Sequence, residues 1–128
     1  MKYPSLHVLL VDDAKIILQK MKMFLSIVPQ VRLVDTASSA QEAFSFLQSS
    51  DPELVVLDVN MPGTNGIEIL KRIRNSKGPQ PVVVMLTNET GYHFKENCLR
   101  SGADYYLDKS RDFLQIPAII GELIAKRA

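Results

Sequence analysis

Three runs of four or five consecutive apolar residues constrain this chain more than any other feature: Val8-Leu9-Leu10-Val11, Leu54-Val55-Val56-Leu57 and Val82-Val83-Val84-Met85-Leu86. None of them alternates apolar with polar residues. A strand of that kind is buried on both faces, the condition of a parallel sheet covered by helices on each side. Val31 to Ala37 and Tyr105-Tyr106-Leu107 read as two further strands.

The segments between them carry a helical period. From Ala14 to Val28, the residues Ile17, Met21, Phe24, Leu25 and Val28 recur at spacings of three and four, and Pro29 ends the helix. Ser39 followed by Glu42 has the capping-box spacing, and Ala40, Ala43, Phe44 and Leu47 form one stripe ahead of Asp51-Pro52. Asn65 and Glu68 start a third helix in the same way, with Ile69, Leu70 and Ile73 inward, and Gly78-Pro79 marks its exit. A fourth helix spans about Tyr92 to Ser101, and Gly102 stands where a left-handed residue closes a helix. The last runs from about Gln115 to Lys126, with Pro117 in its first turn, where a missing N–H does no harm. Five strand–helix units in strict alternation predict an α/β fold, a doubly wound five-stranded parallel sheet with helices on both faces and right-handed crossovers.

Composition excludes several classes of function. The chain has 128 residues, a size suited to one domain over 1–128 that folds without disulfides or structural metal. Fifteen basic against fourteen acidic residues leave a net charge of +1, without the basic excess of a nucleic-acid binder. The lone Cys98 cannot form an internal disulfide and fits a reducing compartment. No apolar run approaches a membrane span, and Val8 to Val11 runs into Asp12 and Asp13 too soon for a signal peptide. These features predict a cytoplasmic protein without membrane or direct nucleic-acid contacts.

In an open parallel sheet, ligands bind beyond the carboxyl ends of the strands. Asp12 and Asp13 follow the first strand, Asp58 the third, Thr87 the fourth and Lys109 the fifth. Any one of them alone has a bland reading. Asp13, for example, suits a helix cap as well as a ligand site. Four strand ends delivering three carboxylates, a hydroxyl and an ammonium to one edge are hard to reach by capping alone. Close carboxylates repel unless a cation is present. An all-oxygen set without clustered His or Cys points to magnesium, with manganese able to substitute, rather than zinc. A carboxylate beside such an ion can attack a phosphoryl group and form an acyl phosphate, with the lysine and the hydroxyl stabilising its oxygens.

These residues resemble the receiver domain of two-component response regulators, in particular the chemotaxis-type single-domain receiver. The matching pieces are Asp12-Asp13, then Leu57-Asp58-Val59-Asn60-Met61-Pro62-Gly63, then Leu86-Thr87, then Asp108-Lys109, in order over nearly the whole chain. The resemblance implies the flavodoxin-like strand order 2-1-3-4-5. It implies that Asp58 is the phosphoacceptor, a signalling role in a phosphorelay rather than an enzyme's, although the domain assists its own phosphorylation and dephosphorylation. Asp12, Asp13, Asp58 and the main-chain carbonyl of Asn60 would hold Mg2+. Thr87 and Lys109 would engage the phosphoryl group, and Thr87 with Tyr106 would form the switch. The donor would be a phosphohistidine on a sensor histidine kinase or histidine phosphotransfer protein. The face built from the fourth helix, fifth strand and fifth helix would then bind a downstream target or a fused output domain. The sequence leaves open whether the chain stands alone or belongs to a longer regulator, and whether phosphorylation drives homodimer formation.

Two residues depart from the family pattern. Ser110 follows Lys109 where a proline is usual, so a trans bond and a different loop path are expected. Asn88 follows Thr87 where a small residue is usual, and either narrows access to the site or adds a hydrogen bond to the phosphoryl group. Asn60 and Glu89 lie two residues beyond Asp58 and Thr87. Those positions flank the path of hydrolytic water in the family, so the resemblance implies that they orient that water and shorten the phosphoaspartate lifetime.

The remaining features take blander readings. Lys71, Arg72, Arg74 and Lys77 compensate a helix dipole on a solvated face. Met21 and Met23 are packing residues, and Cys98 is an inert core thiol. His7 is a strand-end residue and His93 a surface one. Tyr92, Phe94 and Tyr106 are candidates for an exposed aromatic patch that meets a partner, with at least one of them expected to be buried. A haloacid-dehalogenase-type phosphatase is the enzyme alternative, but it needs a second aspartate where this chain has Asn60. A flavin or nucleotide module lacks its glycine-rich turn.

Overall fold

The five expected strands form, pair in parallel and take the order β2-β1-β3-β4-β5. The computed structural model describes residues 5–59, 61, 66–88, 92–109 and 112–127. Along the chain it shows β1 (Leu6–Val11), α1 (Lys15–Ser26), β2 (Val31–Ala37), α2 (Ala40–Ser49), β3 (Leu54–Asp58), α3 (Gly66–Asn75), β4 (Val82–Thr87), α4 (Tyr92–Arg100), β5 (Tyr105–Asp108) and α5 (Ile116–Arg127). One 3-10 turn, Phe113–Gln115, leads into α5, and Pro117 is the second residue of that helix.

The unbroken apolar runs have the reason expected of them. Every residue of β1 and β3 is buried. Leu9, Val11, Val55, Leu57, Val83 and Met85 face a core closed by Ala43 of α2, Ile69, Leu70 and Ile73 of α3, and Cys98 of α4. Their neighbours Val8, Leu10, Leu54, Val56, Val84 and Leu86 face a second core. Leu18, Met21 and Leu25 of α1 close it, with Ile116, Ile119 and Ile120 of α5. Alternate side chains of each central strand thus serve opposite layers.

Register decides what meets at the carboxyl edge. Val11 pairs with Leu57, Asp58 with Leu86 and Thr87 with Asp108. The residues just beyond Val11 and Leu57 therefore emerge side by side. Edge strand β2 ends on Ala37, followed by Ser38, and brings no charge to this edge.

The structure corrects several local expectations. The inward face of α1 centres on Leu18, Met21 and Leu25, with Ile17, Phe24 and Val28 half-buried beside it. Met23 does not pack: it is 74% exposed, like its helix neighbours Ile16 and Ile27. The basic cluster of α3 is not a purely solvated face. Arg72 lies over the Phe44 ring, 3.8 Å from its centroid. Arg74 donates from Nε to the Gly102 carbonyl at 2.9 Å and from its terminal nitrogens to Gln80, the Pro81 carbonyl and Asp104. His7 is near the start of β1, in keeping with a strand-end residue, but it is buried, with Nε2 2.8 Å from Asp35 Oδ2 at the end of the sheet remote from the acids. Gly102 takes φ +114° as expected, and the Ala103 and Gly102 N–H groups donate to the Cys98 and Leu99 carbonyls, closing α4 in a Schellman motif. Asn65, Ser110 and the side chains of Tyr92 and His93 lie outside the described residues.

Candidate functional site

Asp12 leaves β1 with its N–H donating to the Ala37 carbonyl at 3.1 Å. Its Oδ1 accepts from the Ala14 N–H at 2.9 Å, just ahead of α1, whose N-cap residue Ala14 has no side chain to cap with. The local capping work expected of Asp13 thus falls to Asp12, and Asp13 is exposed. Asp12 Oδ2 is buried and paired with the Lys109 ammonium 2.5 Å away.

Asp58 closes β3 and is 6% exposed, and Thr87 closes β4 fully buried. Ligand oxygens of Asp12, Asp13 and Asp58 lie within 4.8 Å of one another. Lys109 Nζ stands 3.4 Å from Asp58 Oδ2, so the ammonium spans two of the three acids. Its main chain is tied to the same edge: the Lys109 N–H donates to the Thr87 carbonyl at 2.8 Å. Burial alone would lower the pKa of this ammonium. The hydrogen bond and charge of Asp12, joined by those of Asp58, outweigh burial and hold it above the usual lysine value.

Three carboxylates against one ammonium leave an excess of negative charge in a partly buried site. The donors are all hard oxygens, gathered within 4.8 Å of one another. That set fits a hard divalent cation held by Asp12, Asp13 and Asp58.

Tyr106, half-buried on β5, meets Phe94 of α4 edge to face with ring centroids 6.5 Å apart. Asn88 is exposed. Cys98 is fully buried, and burial pushes its thiol pKa up, which suits an inert core residue. Asn60, Glu89 and the Pro62-Gly63 part of the motif that begins at Leu57 lie outside the described residues. A cleft of about 580 Å³ opens at the other end of the sheet, beside Phe44, Pro52, Arg72 and Pro81, and shares no residue with the acids.

Two supporting residues escape motif reading. The Gly66 N–H donates to the Val59 carbonyl at 2.8 Å, which seats the start of α3 against the backbone just past Asp58. Asp112 closes the turn after β5: its Oδ2 accepts from the Asp108 N–H at 3.0 Å, and its own N–H donates to the Asp108 carbonyl at 2.8 Å. The spacing from Asp112 to Gln115 ahead of an apolar helix was a legible capping signal. Gly66 had none, because a close approach to backbone leaves no local pattern.

A sequence profile of the response regulator receiver domain matches residues 8–120. The nitrate/nitrite response regulator protein NarL of Escherichia coli is 32% identical over 128 residues, covering 94% of this chain and 58% of that protein. A protein-glutamate methylesterase/protein-glutamine glutaminase of Methanospirillum hungatei is 29% identical, over 92% of this chain and 35% of its own length. The structure of Vibrio cholerae chemotaxis protein CheY4 superposes with a TM-score of 0.81 at 28% identity, covering 92% of this chain and 98% of that one. The chain therefore spans about 58% and 35% of the two curated relatives and nearly all of the chemotaxis protein.

Proposed function

Since the chain belongs to the receiver domain family of two-component response regulators, we propose that it accepts a phosphoryl group on Asp58 from a phosphohistidine of a kinase or phosphotransfer partner. One observation carries this reading: the Asp58 carboxylate is gathered with Asp12 and Asp13 at one sheet edge, with the Lys109 ammonium 3.4 Å from its Oδ2.

In the transfer, an Asp58 oxygen attacks phosphorus as the bond to the donor imidazole nitrogen breaks, and that nitrogen keeps the electron pair. Magnesium held by Asp12, Asp13 and Asp58 would relieve carboxylate repulsion and neutralise charge on the phosphoryl oxygens. The Asn60 main-chain carbonyl is proposed as a further ligand. Lys109 would balance a second oxygen, and the Thr87 hydroxyl would donate to a third. Asn60 and Glu89 are proposed to orient the water that later hydrolyses the acyl phosphate. The role is that of a phosphoacceptor with a signalling output.

The readout follows from the same parts. A phosphoryl group adds close to two negative charges and strong acceptor oxygens beside Thr87. Drawing Thr87 inward would make room for Tyr106, whose ring meets Phe94 of α4 edge to face. That favours a second arrangement of the α4–β5–α5 face for a target protein or output domain. Cytoplasmic residence fits this role, and among the described residues no helix is long and apolar enough to cross a membrane.

The test is intact mass after incubation with acetyl phosphate, with and without Mg2+, beside Asp58→Asn. The expected result is a magnesium-dependent gain of one phosphoryl group, absent in the variant. A chain that gains no mass from acetyl phosphate or from a panel of kinases, and does not bind beryllofluoride, overturns the reading.

A further inference from the structure

We propose that Gly66 is a positioning residue for this reaction, holding the backbone that carries the Asp58 carboxylate at the only depth the site can use. The inference rests on the reading of Asp58 as the phosphoacceptor and adds a residue to it.

A Cβ built on Gly66 would stand 2.4 Å from the Asp58 carbonyl oxygen, 3.1 Å from Val59 Cα and 3.2 Å from the Asp58 carbonyl carbon. Ordinary carbon contacts lie near 3.5 Å, so a methyl group there forces a shift of about 1 Å. All three obstructing atoms are backbone, and no side chain can swing away to make room. Backbone conformation is not the reason for glycine here. The positive-φ glycines among the described residues are Gly78 and Gly102. Gly66 is needed for its missing side chain.

Neither side of the contact yields freely. The exit of β3 is paired to β4 through Asp58 and Leu86, and the Val59 N–H reaches the Leu86 carbonyl at 3.4 Å. On the other side, α3 is anchored through Ile67, Ile69, Leu70 and Ile73, all buried. The Gly66 N–H donates to the Val59 carbonyl, so the helix start and the two residues after Leu57 move as one body. A displacement at Gly66 therefore reaches the Asp58 Cα directly. With it go the distance from Asp58 to Lys109 and the closeness of the three acids.

Helix propensity favours alanine over glycine, so a neutral helix position predicts the opposite of what the close approach predicts. Gly121 in α5 supplies the control, since nothing lies within 4 Å of a Cβ built there.

The experiment compares Gly66→Ala, Gly121→Ala and the unaltered chain by thermal unfolding, calorimetric titration with Mg2+ alone, and phosphorylation from acetyl phosphate. Gly66→Ala is expected to bind Mg2+ roughly tenfold to a hundredfold more weakly. Its phosphorylation is expected to slow on the order of a hundredfold, while Gly121→Ala matches the unaltered chain. A folded Gly66→Ala with unchanged Mg2+ affinity overturns the proposal, even if its melting temperature falls. If the unaltered chain takes no phosphoryl group while Gly66→Ala still weakens Mg2+ binding, the reading of Asp58 fails and the positioning role stands. Should Gly66→Ala not fold, amide exchange in the unaltered chain decides. Mg2+ is expected to slow exchange of the Gly66 amide several-fold, and an unchanged rate at saturating Mg2+ overturns the coupling.

Discussion

Asp12 and Asp58 share one ammonium, and its position sets the balance of the acidic site. Lys109 approaches Asp12 more closely than Asp58, at 2.5 Å against 3.4 Å. Because its pKa is raised by these partners, the stabilisation is complete below the ordinary lysine value and is lost as pH rises through the higher folded value. At neutral pH the pairing is intact and competes with any cation for the same oxygens. Lys109→Met keeps much of the stem and removes the charge. It is expected to tighten Mg2+ binding on the order of tenfold, equivalent to roughly 1.4 kcal/mol, while slowing phosphoacceptance. Its melting temperature should fall in EDTA and recover most of the loss at saturating Mg2+. Calorimetric titration with parallel melts checks both. Unchanged Mg2+ affinity would falsify the competition.

Short segments close on themselves in ways their spacing only partly announces. At the start of α2, the Ser39 hydroxyl accepts from the Glu42 N–H at 3.1 Å, as the capping-box spacing requires. The return bond is shifted by one residue: the Glu42 carboxylate accepts from the Ser38 hydroxyl at 2.6 Å and the Ser38 N–H at 3.2 Å. Those bonds from Ser38, hydroxyl first, hold the Glu42 pKa below its ordinary value, with the Lys15 charge adding to them against a small opposing effect of burial. The resulting stability is present above the ordinary glutamate range and is lost as pH falls through the lowered folded value. Ser39→Ala is expected to cost about 1 kcal/mol in urea unfolding at neutral pH. Glu42→Gln should flatten the loss of stability below roughly pH 4. At the other end of the sheet, Arg74 joins α3 to the approach to β4 and to the α4–β5 turn. Asp104 there also accepts from the Val83 N–H at 2.8 Å. Arg74→Lys keeps the charge but loses the fork, at an expected cost of roughly 1–3 kcal/mol read from the urea midpoint.

Over the whole molecule, α1 is apolar on two opposite sides. Leu18, Met21 and Leu25 turn into the sheet, while Ile16, Met23 and Ile27 line the far side at 66%, 74% and 79% exposure. The helix begins three residues after Asp12 and runs away from that edge. Its first turn, with Ile16, therefore borders the place where the proposed phosphohistidine donor would arrive, and Met23 lies about 12 Å along the axis from the helix start. Ile16→Glu is expected to slow transfer from a phosphohistidine donor at least tenfold, about 1.4 kcal/mol, and to leave acetyl phosphate transfer unchanged. Equal slowing with both donors sinks this assignment. The same helix shows where sequence reading stops. Its period announced a helix, but Met23 read as a packing residue because a stripe on either side satisfies the same spacing. By itself the sequence determined the five strands, the helices between them and the edge to which Asp12, Asp13, Asp58, Thr87 and Lys109 belong. Apolar runs and periods are local, and parallel strands must all end at one edge. Tertiary structure alone decided that Asp12 and not Asp13 is buried, that Lys109 leans toward Asp12, that Arg74 is a tie and not a solvated charge, and that Gly66 admits no side chain. Each of these depends on the distance between segments remote in the chain, which register and packing set and no local pattern encodes.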